Sequence, residues 1–142
     1  MECHRDMYFT IWYGVYNRKS RLLTYSSGGH PAALLMEQVY GEEPRVQELW
    51  TENIIIGLGP TDFKVDQIEI KPDARLFVFS DGVYEIMDPN GAYWGFEDLK
   101  DYLGNSAATD ESTMDNLWEH VKQIACSESL EDDFSVLEIR IF

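Results

Sequence analysis

The chain of 142 residues has the length of one ordinary domain, and its 44% hydrophobic and 13% aromatic residues suffice for a packed core. A formal net charge of −15 repels phosphate backbones and anionic lipid surfaces, which argues against nucleic-acid and membrane-surface binding. No apolar run is long enough to span a bilayer or reads as a signal peptide. The two cysteines, Cys3 and Cys126, show neither zinc spacing nor a disulfide framework, so a reducing cytoplasm is expected.

Only seven residues precede "YFTIWYGVY" (8–16), whose aromatic and β-branched content predicts a strand. "NRKSR" is a polar turn, and "LLTYSS" (22–27) is the returning strand of a hairpin. "GGHP" (28–31) breaks the pattern before a third short run, "AALLM" (32–36). Residues 37–53 are polar and read as loop or short irregular strand, and "IIIGLGP" (54–60) as a short strand ending in a glycine turn. "DQIEI" (66–70) alternates as a half-exposed strand does. After the "KPDA" turn, the continuous apolar run "RLFVF" (75–79) predicts a strand buried on both faces.

Residues 88–95, "DPNGAYWG", read as a loop. "FEDLKDYL" (96–103) sets Phe96, Leu99 and Leu103 on one helical face, with Gly104-Asn105 as a stop. In "STMDNLWEHVKQIA" (112–125), Met114, Leu117, Val121 and Ile124 recur at helical spacing, and Ser112 with Asp115 forms a capping-box-like start. "DFSVLEIRIF" (133–142) closes the chain as a strand. Strands, then two helices, then one strand predict a single α+β domain with a mostly antiparallel sheet.

Strand packing does not require the acid that ends the apolar run in "LFVFSDGVYE" (76–85). Asp81 reads either as a turn aspartate capping local amides or as a ligand, with Gly82 allowing another group to approach the backbone. Asp132 and Asp133 stand just before the last strand, where they form either an exposed acidic turn or the second half of a cation site. If that strand lies beside "RLFVF", Asp81 and Asp132 emerge together, and converging carboxylates suit a hard cation. His30 in "SGGHP" reads as a general acid, a ligand or a structural turn residue. His120 falls on a polar-facing helix position, and His4 lies near the start. "FSDGV" superficially resembles the aspartate-nucleophile phosphatases, but Phe79 stands where those enzymes need an acid.

Taken in order, "LLTYSSGGHPAALL", "IIIGLGP", "RLFVFSDGVYEIMDPNGAYWGFEDL" and "EDDFSVLEIRI" resemble the C-terminal portion of SpoIIE/RsbU-type serine phosphatase domains, a bacterial branch of the metal-dependent protein phosphatases. Gly29-His30-Pro31, Leu58-Gly59, Ser80-Asp81-Gly82-Val83 with Glu85, and Asp132-Asp133-Phe134-Ser135 occupy the family's motif places across residues 8–142. The resemblance implies part of a two-sheet antiparallel β-sandwich flanked by helices, with two Mn²⁺ or Mg²⁺ ions between the sheets. It also implies that Asp81 and Asp132 are metal ligands, that Gly82 and Asp133 lie beside the metal, and that a phosphoserine or phosphothreonine of a regulatory protein is hydrolysed. In that family the setting is bacterial signalling through a sigma-factor or two-component pathway, with an N-terminal sensor or receiver domain.

The family's two further acidic motifs, "G-D-x-x-D" and "D-x-x-G-H-G", do not occur here. Asp6 stands alone, Gly28 replaces an alanine and Ser80 a threonine. The chain is therefore expected to be the C-terminal part of such a domain, lacking its first strands and hydrolysing phosphoesters poorly or not at all. The alternative is a non-catalytic, phosphatase-like module that binds a regulatory protein. A domain without its first strands exposes sheet edges, so self-association is expected.

Overall fold

A computed structural model describes residues 7–60, 62–106 and 113–142. The proposed capping residue Ser112 lies outside them, as do Cys3, His4 and Asp6. The strands are β1 (Ile11–Asn17), β2 (Leu22–Gly28), β3 (Ala33–Glu37), β4 (Arg45–Leu49), β5 (Asp66–Glu69), β6 (Ala74–Phe79), β7 (Ile86–Met87), β8 (Tyr93–Trp94) and β9 (Val136–Ile141). Helices α1 (Phe96–Ser106) and α2 (Thr113–Ala125) lie between β8 and β9. All pairings between strands are antiparallel, in sheets ordered β1-β2-β5, β4-β3-β6-β9 and β7-β8. The α+β class expected from the sequence is the one observed.

The four-stranded sheet is the middle layer because β3 and β6 are apolar on both faces. Leu34, Met36, Phe77 and Phe79 point to one side and form a core with Leu99 and Leu103 of α1 and Leu117 and Val121 of α2. Ala33, Leu35, Ala74 and Leu76 point to the other side and pack with Leu23 and Tyr25 of β2. Period-two alternation in strands with apolar residues on both faces thus serves two cores at once. The two sheets are also tied by polar contacts. Trp12 Nε1 donates to the Leu49 carbonyl at 2.9 Å, and the Ser27 amide donates to Thr51 Oγ1 at 2.8 Å.

Several expectations are corrected. The run at 54–60 is not a strand: Ile56 forms one isolated bridge with Phe9, and Gly57 then turns the chain at φ +102°, a conformation open to glycine. Residues 45–49 are a regular strand, because Val46 packs against the helical core and Leu49 is buried in the inter-sheet core. The expected loop at 88–95 holds β8, which pairs with β7 across a turn. There the Asp88 carboxylate accepts from the amides of Asn90 (2.8 Å) and Ala92 (2.7 Å). Helix α1 runs past Gly104 to Ser106. Gly104 lies inside the helix, so it does not terminate it, and a β-carbon there would stand at an ordinary 3.4 Å from Val46 Cγ2 of β4. The helix starts with Asp98 Oδ2 accepting from the Gly95 amide at 2.7 Å.

His120 is half-buried rather than on an open polar face. Its ring stacks on Tyr102 with centroids 4.4 Å apart and meets Trp94 edge-on at 5.8 Å. Burial pushes its pKa below the ordinary 6.5. A histidine depressed by folding stabilises the fold above its unfolded pKa, and this contribution is lost as pH falls through the folded value. The stability difference between the native chain and His120→Phe should therefore change as pH falls below about 6.5, with the native chain losing more. Urea midpoints at several pH values check this, and parallel profiles would refute it.

Candidate metal centre

The pairing of β6 with β9, with Phe79 opposite Val136, brings the chain that follows β6 against the chain that precedes β9. Asp81 opens a single 3-10 turn, Asp81–Val83, immediately beyond β6. Asp132 and Asp133 lie in the segment that enters β9. Sequence reasoning expected Asp81 and Asp132 to emerge together only if these two strands were neighbours, and they are.

Two residues hold the acid-bearing segments together. Ser80 Oγ donates to the Asp133 carbonyl at 2.7 Å and accepts from the Ser135 amide at 3.0 Å, while the Ser80 amide donates to the Ser135 carbonyl at 2.9 Å. Gly82 is buried against the same segment: a β-carbon there would run into the Asp133 carbonyl and lie 3.2 Å from Asp132 Cβ. The sequence singled out Gly82 but not this use of Ser80. A hydroxyl before Asp-Gly was the available signal, and its partner lies 53 residues away.

Asp81, Asp132 and Asp133 are all exposed. Asp81 Oδ1 accepts from the Gly82 amide at 3.0 Å and Asp132 Oδ1 from the Asp133 amide at 2.7 Å. These local caps are what the turn reading predicted, and they also hold each carboxylate in a set orientation. Both groups are oxygen donors of the kind that Mg²⁺ and Mn²⁺ prefer. They fit such an ion in ligand type but not in number, because no group of three or more His, Cys, Asp or Glu side chains that could hold a metal occurs among the described residues. Tyr84, beside the turn, is pushed up to about 12 by burial and then by Glu85, Asp81 and Tyr93, so its hydroxyl stays neutral and supplies no phenolate.

Two depressions meet at Asp132. The larger, about 640 Å³, is lined by Gly82, Glu85, Met87, Leu130, Glu131 and Asp132 among others. The shallower, about 450 Å³, is lined by Trp118, Leu130, Asp132, Asp133 and Phe134. His30 is elsewhere. Its Nδ1 hydrogen-bonds the Pro31 carbonyl at 3.0 Å, and it lines a separate depression with Trp50, Thr51 and Asn53 that shares no residue with those two.

The family model for stage II sporulation protein E (SpoIIE) matches residues 1–142. The chain belongs to the SpoIIE family. This SpoIIE-family chain is 24% identical over 137 residues to the phosphoserine phosphatase RsbU of Bacillus subtilis (strain 168), covering 95% of itself and 39% of that protein. It superposes on the SiaA-PP2C domain of Pseudomonas aeruginosa with a TM-score of 0.77 at 17% identity, covering 96% of itself and 53% of that chain. On the manganese-presoaked phosphatase domain of the cell-fate determinant SpoIIE from Bacillus subtilis the TM-score is 0.65 at 20% identity, covering 93% of itself and 56% of that chain. These likenesses show a PP2C-type fold, of which the SpoIIE-family chain spans about half.

Proposed function

We propose that this chain is the C-terminal part of a metal-dependent protein serine/threonine phosphatase domain, supplying Asp81 and Asp132 as two carboxylate ligands of a Mn²⁺ or Mg²⁺ site. The observation that carries the reading is the junction of β6 and β9, where Gly82, next to Asp81, packs on the Asp132–Asp133 segment. Family membership and the likeness to a phosphoserine phosphatase support it. The remaining ligands come from an N-terminal part, consistent with the chain spanning 53% and 56% of the matched phosphatase chains.

In the complete domain the ions, when bound, would acidify a coordinated water for attack on phosphorus. This chain's own residues have defined tasks. Asp81 and Asp132 hold the cation, Ser80 and Gly82 keep their two turns in register, and Asp133 stands beside the cluster without an assigned bond to metal. The substrate is a phosphorylated regulatory protein of a bacterial sigma-factor or two-component pathway, acted on in the cytoplasm under control of an N-terminal sensor or receiver domain.

The test joins this chain to the remaining half of a SpoIIE-type domain and measures Mn²⁺-dependent release of phosphate from a phosphoserine protein. Asp81→Asn and Asp132→Asn should each reduce turnover by more than about 100-fold, since even residues that only support metal ligands cost 10- to 100-fold. Strong Mn²⁺-dependent turnover by the present chain alone, lost on Asp81→Asn, would show that its site is already complete.

A second reading, a non-catalytic module that binds a regulatory protein, is favoured by the absence of a third ligating side chain near Asp81 and Asp132 among the described residues. A parent reading frame carrying both missing acidic motifs would eliminate it. Self-association is supported by the apolar side chains the described residues leave uncovered. Ile11, Tyr13 and Val15 project outward from β1, and Leu137 and Ile139 lie exposed on β9. Light scattering should show mass rising with concentration, and a monomer at high concentration would count against it.

A further inference from the structure

Among the described residues, the two larger sheets end in four edge strands: β1 and β5 in one, β4 and β9 in the other. An edge presents a row of unpaired backbone donors and acceptors. Proteins blunt such edges with charge, proline, bulges or short length. Three of the four are blunted. β5 has only four residues and carries Asp66 and Glu69, β4 carries Arg45 and Glu48, and β9 carries Glu138 and Arg140. β1 differs on every count. It is seven residues long, has no proline, and pairs with β2 residue for residue without a bulge. No acid or base occurs from Met7 to Asn17, in a chain of net charge −15. Ile11, Tyr13 and Val15 stand exposed on its outer face.

Net charge of one sign keeps copies of an acidic chain apart. At β1 that repulsion is weakest, because the strand is uncharged and the charges that follow it, Arg18, Lys19 and Arg21, are basic. A strand can pair antiparallel with its own copy about a two-fold axis, which gives both copies the same contact surface. That arrangement sets the two basic turns at opposite ends of the pair, so they do not face each other. Residues opposite one another on an antiparallel pair share a face. Ile11, Tyr13 and Val15 of the two copies therefore join into one apolar stripe. We infer that β1 pairs antiparallel with β1 of a second copy, merging two three-stranded sheets into one of six strands, ordered β5-β2-β1-β1-β2-β5. This rests on the self-association proposed above and names the strand and geometry that carry it. It does not depend on the cation site.

Sedimentation equilibrium of the chain as it is, over a concentration series with a chelator present, should show a monomer–dimer equilibrium. Tyr13→Lys sets like charges beside each other across the two-fold axis and removes an aromatic contact. It should raise the dissociation constant about tenfold. Each added lysine makes an acidic chain less acidic, so overall charge alone would favour association; a weakened dimer therefore reports on the strand. Val15→Lys is the second variant and should act in the same direction. Leu137→Lys, at an exposed position of β9, is the control and should leave the dimer unchanged. Amide exchange between Trp12 and Tyr16 should slow as concentration rises. A monomer at every concentration overturns the inference together with self-association. A dimer that Tyr13→Lys and Val15→Lys leave intact, or that Leu137→Lys dissociates, overturns the inference alone. If the chain stays monomeric and exchange at β1 slows only when the remaining half of a SpoIIE-type domain is added, the edge belongs to that half and the inference also falls. With metal chelated, failure of Asp81 and Asp132 to bind a cation would leave each of these results unaffected.

Discussion

Phe77→Ala should destabilise the chain by about 3–5 kcal/mol, the range for deleting a fully buried aromatic side chain. Phe77 is fully buried on the helix-facing side of β6, among Leu34, Leu99, Leu103, Leu117 and Val121. The Arg75 guanidinium lies over its ring, 5.2 Å from the centroid. The truncation removes apolar contact with both helices at once and leaves a void that a sheet pinned on both faces cannot collapse to fill. The loss is comparable to the roughly 5–15 kcal/mol that holds a whole domain folded. Denaturant midpoints with unchanged slope would measure it. The matched control is Leu137→Ala on β9, a residue 57% exposed, which should stay within about 0.5 kcal/mol of the native chain. Equal losses at both positions would mean that the helices do not pack on the middle sheet.

Gly82→Ala should cost about 1–3 kcal/mol through overpacking. The reason is not backbone freedom, since Gly82 is not among the glycines at positive φ. It is space: the added methyl would run into the Asp133 carbonyl and stand 3.1 Å from its carbon, and both are backbone atoms that cannot rotate away. The segment entering β9 must move, and the Ser80 bonds to Asp133 and Ser135 stretch with it. Ser80→Ala, which removes those bonds without a clash, should cost a smaller amount, about 0.5–1.5 kcal/mol. Amide exchange at Asp133 and Ser135 reads both effects where they arise. In the complete domain, Gly82→Ala should also weaken Mn²⁺ binding, because it separates Asp81 from Asp132. A Gly82→Ala chain with native stability and native exchange at Ser135 would show that the two acid-bearing turns are not packed as described.

Much of the architecture was legible in the sequence because it rests on local periodicity. The run at 75–79, apolar from Leu76 to Phe79, announced a strand buried on both faces, and the helical spacing of Leu117 and Val121 announced the face that α2 buries. The failures came where partners distant in sequence overrode local pattern. "IIIGLGP" is as apolar as any strand here, but Gly57 adopts a positive φ and Ile56 finds a partner only in Phe9. His120 looked polar-facing on a helical projection, yet Tyr102 of the other helix covers it.

The site divides along the same line. By itself the sequence determined that an acid follows a doubly buried strand, that two acids precede the last strand, and that the motif order is that of the SpoIIE family. It could not determine that the segments carrying those acids lie side by side. Asp81 and Asp132 are 51 positions apart, and the contact of their two segments depends on β9 returning antiparallel beside β6 after two helices. It depends equally on a carbonyl occupying the space where any residue but glycine would put a side chain. Side-chain type is written in the chain one residue at a time. Coincidence of side chains in space is set by strand pairing and by the van der Waals contacts of backbones far apart in sequence, which only the tertiary structure decided.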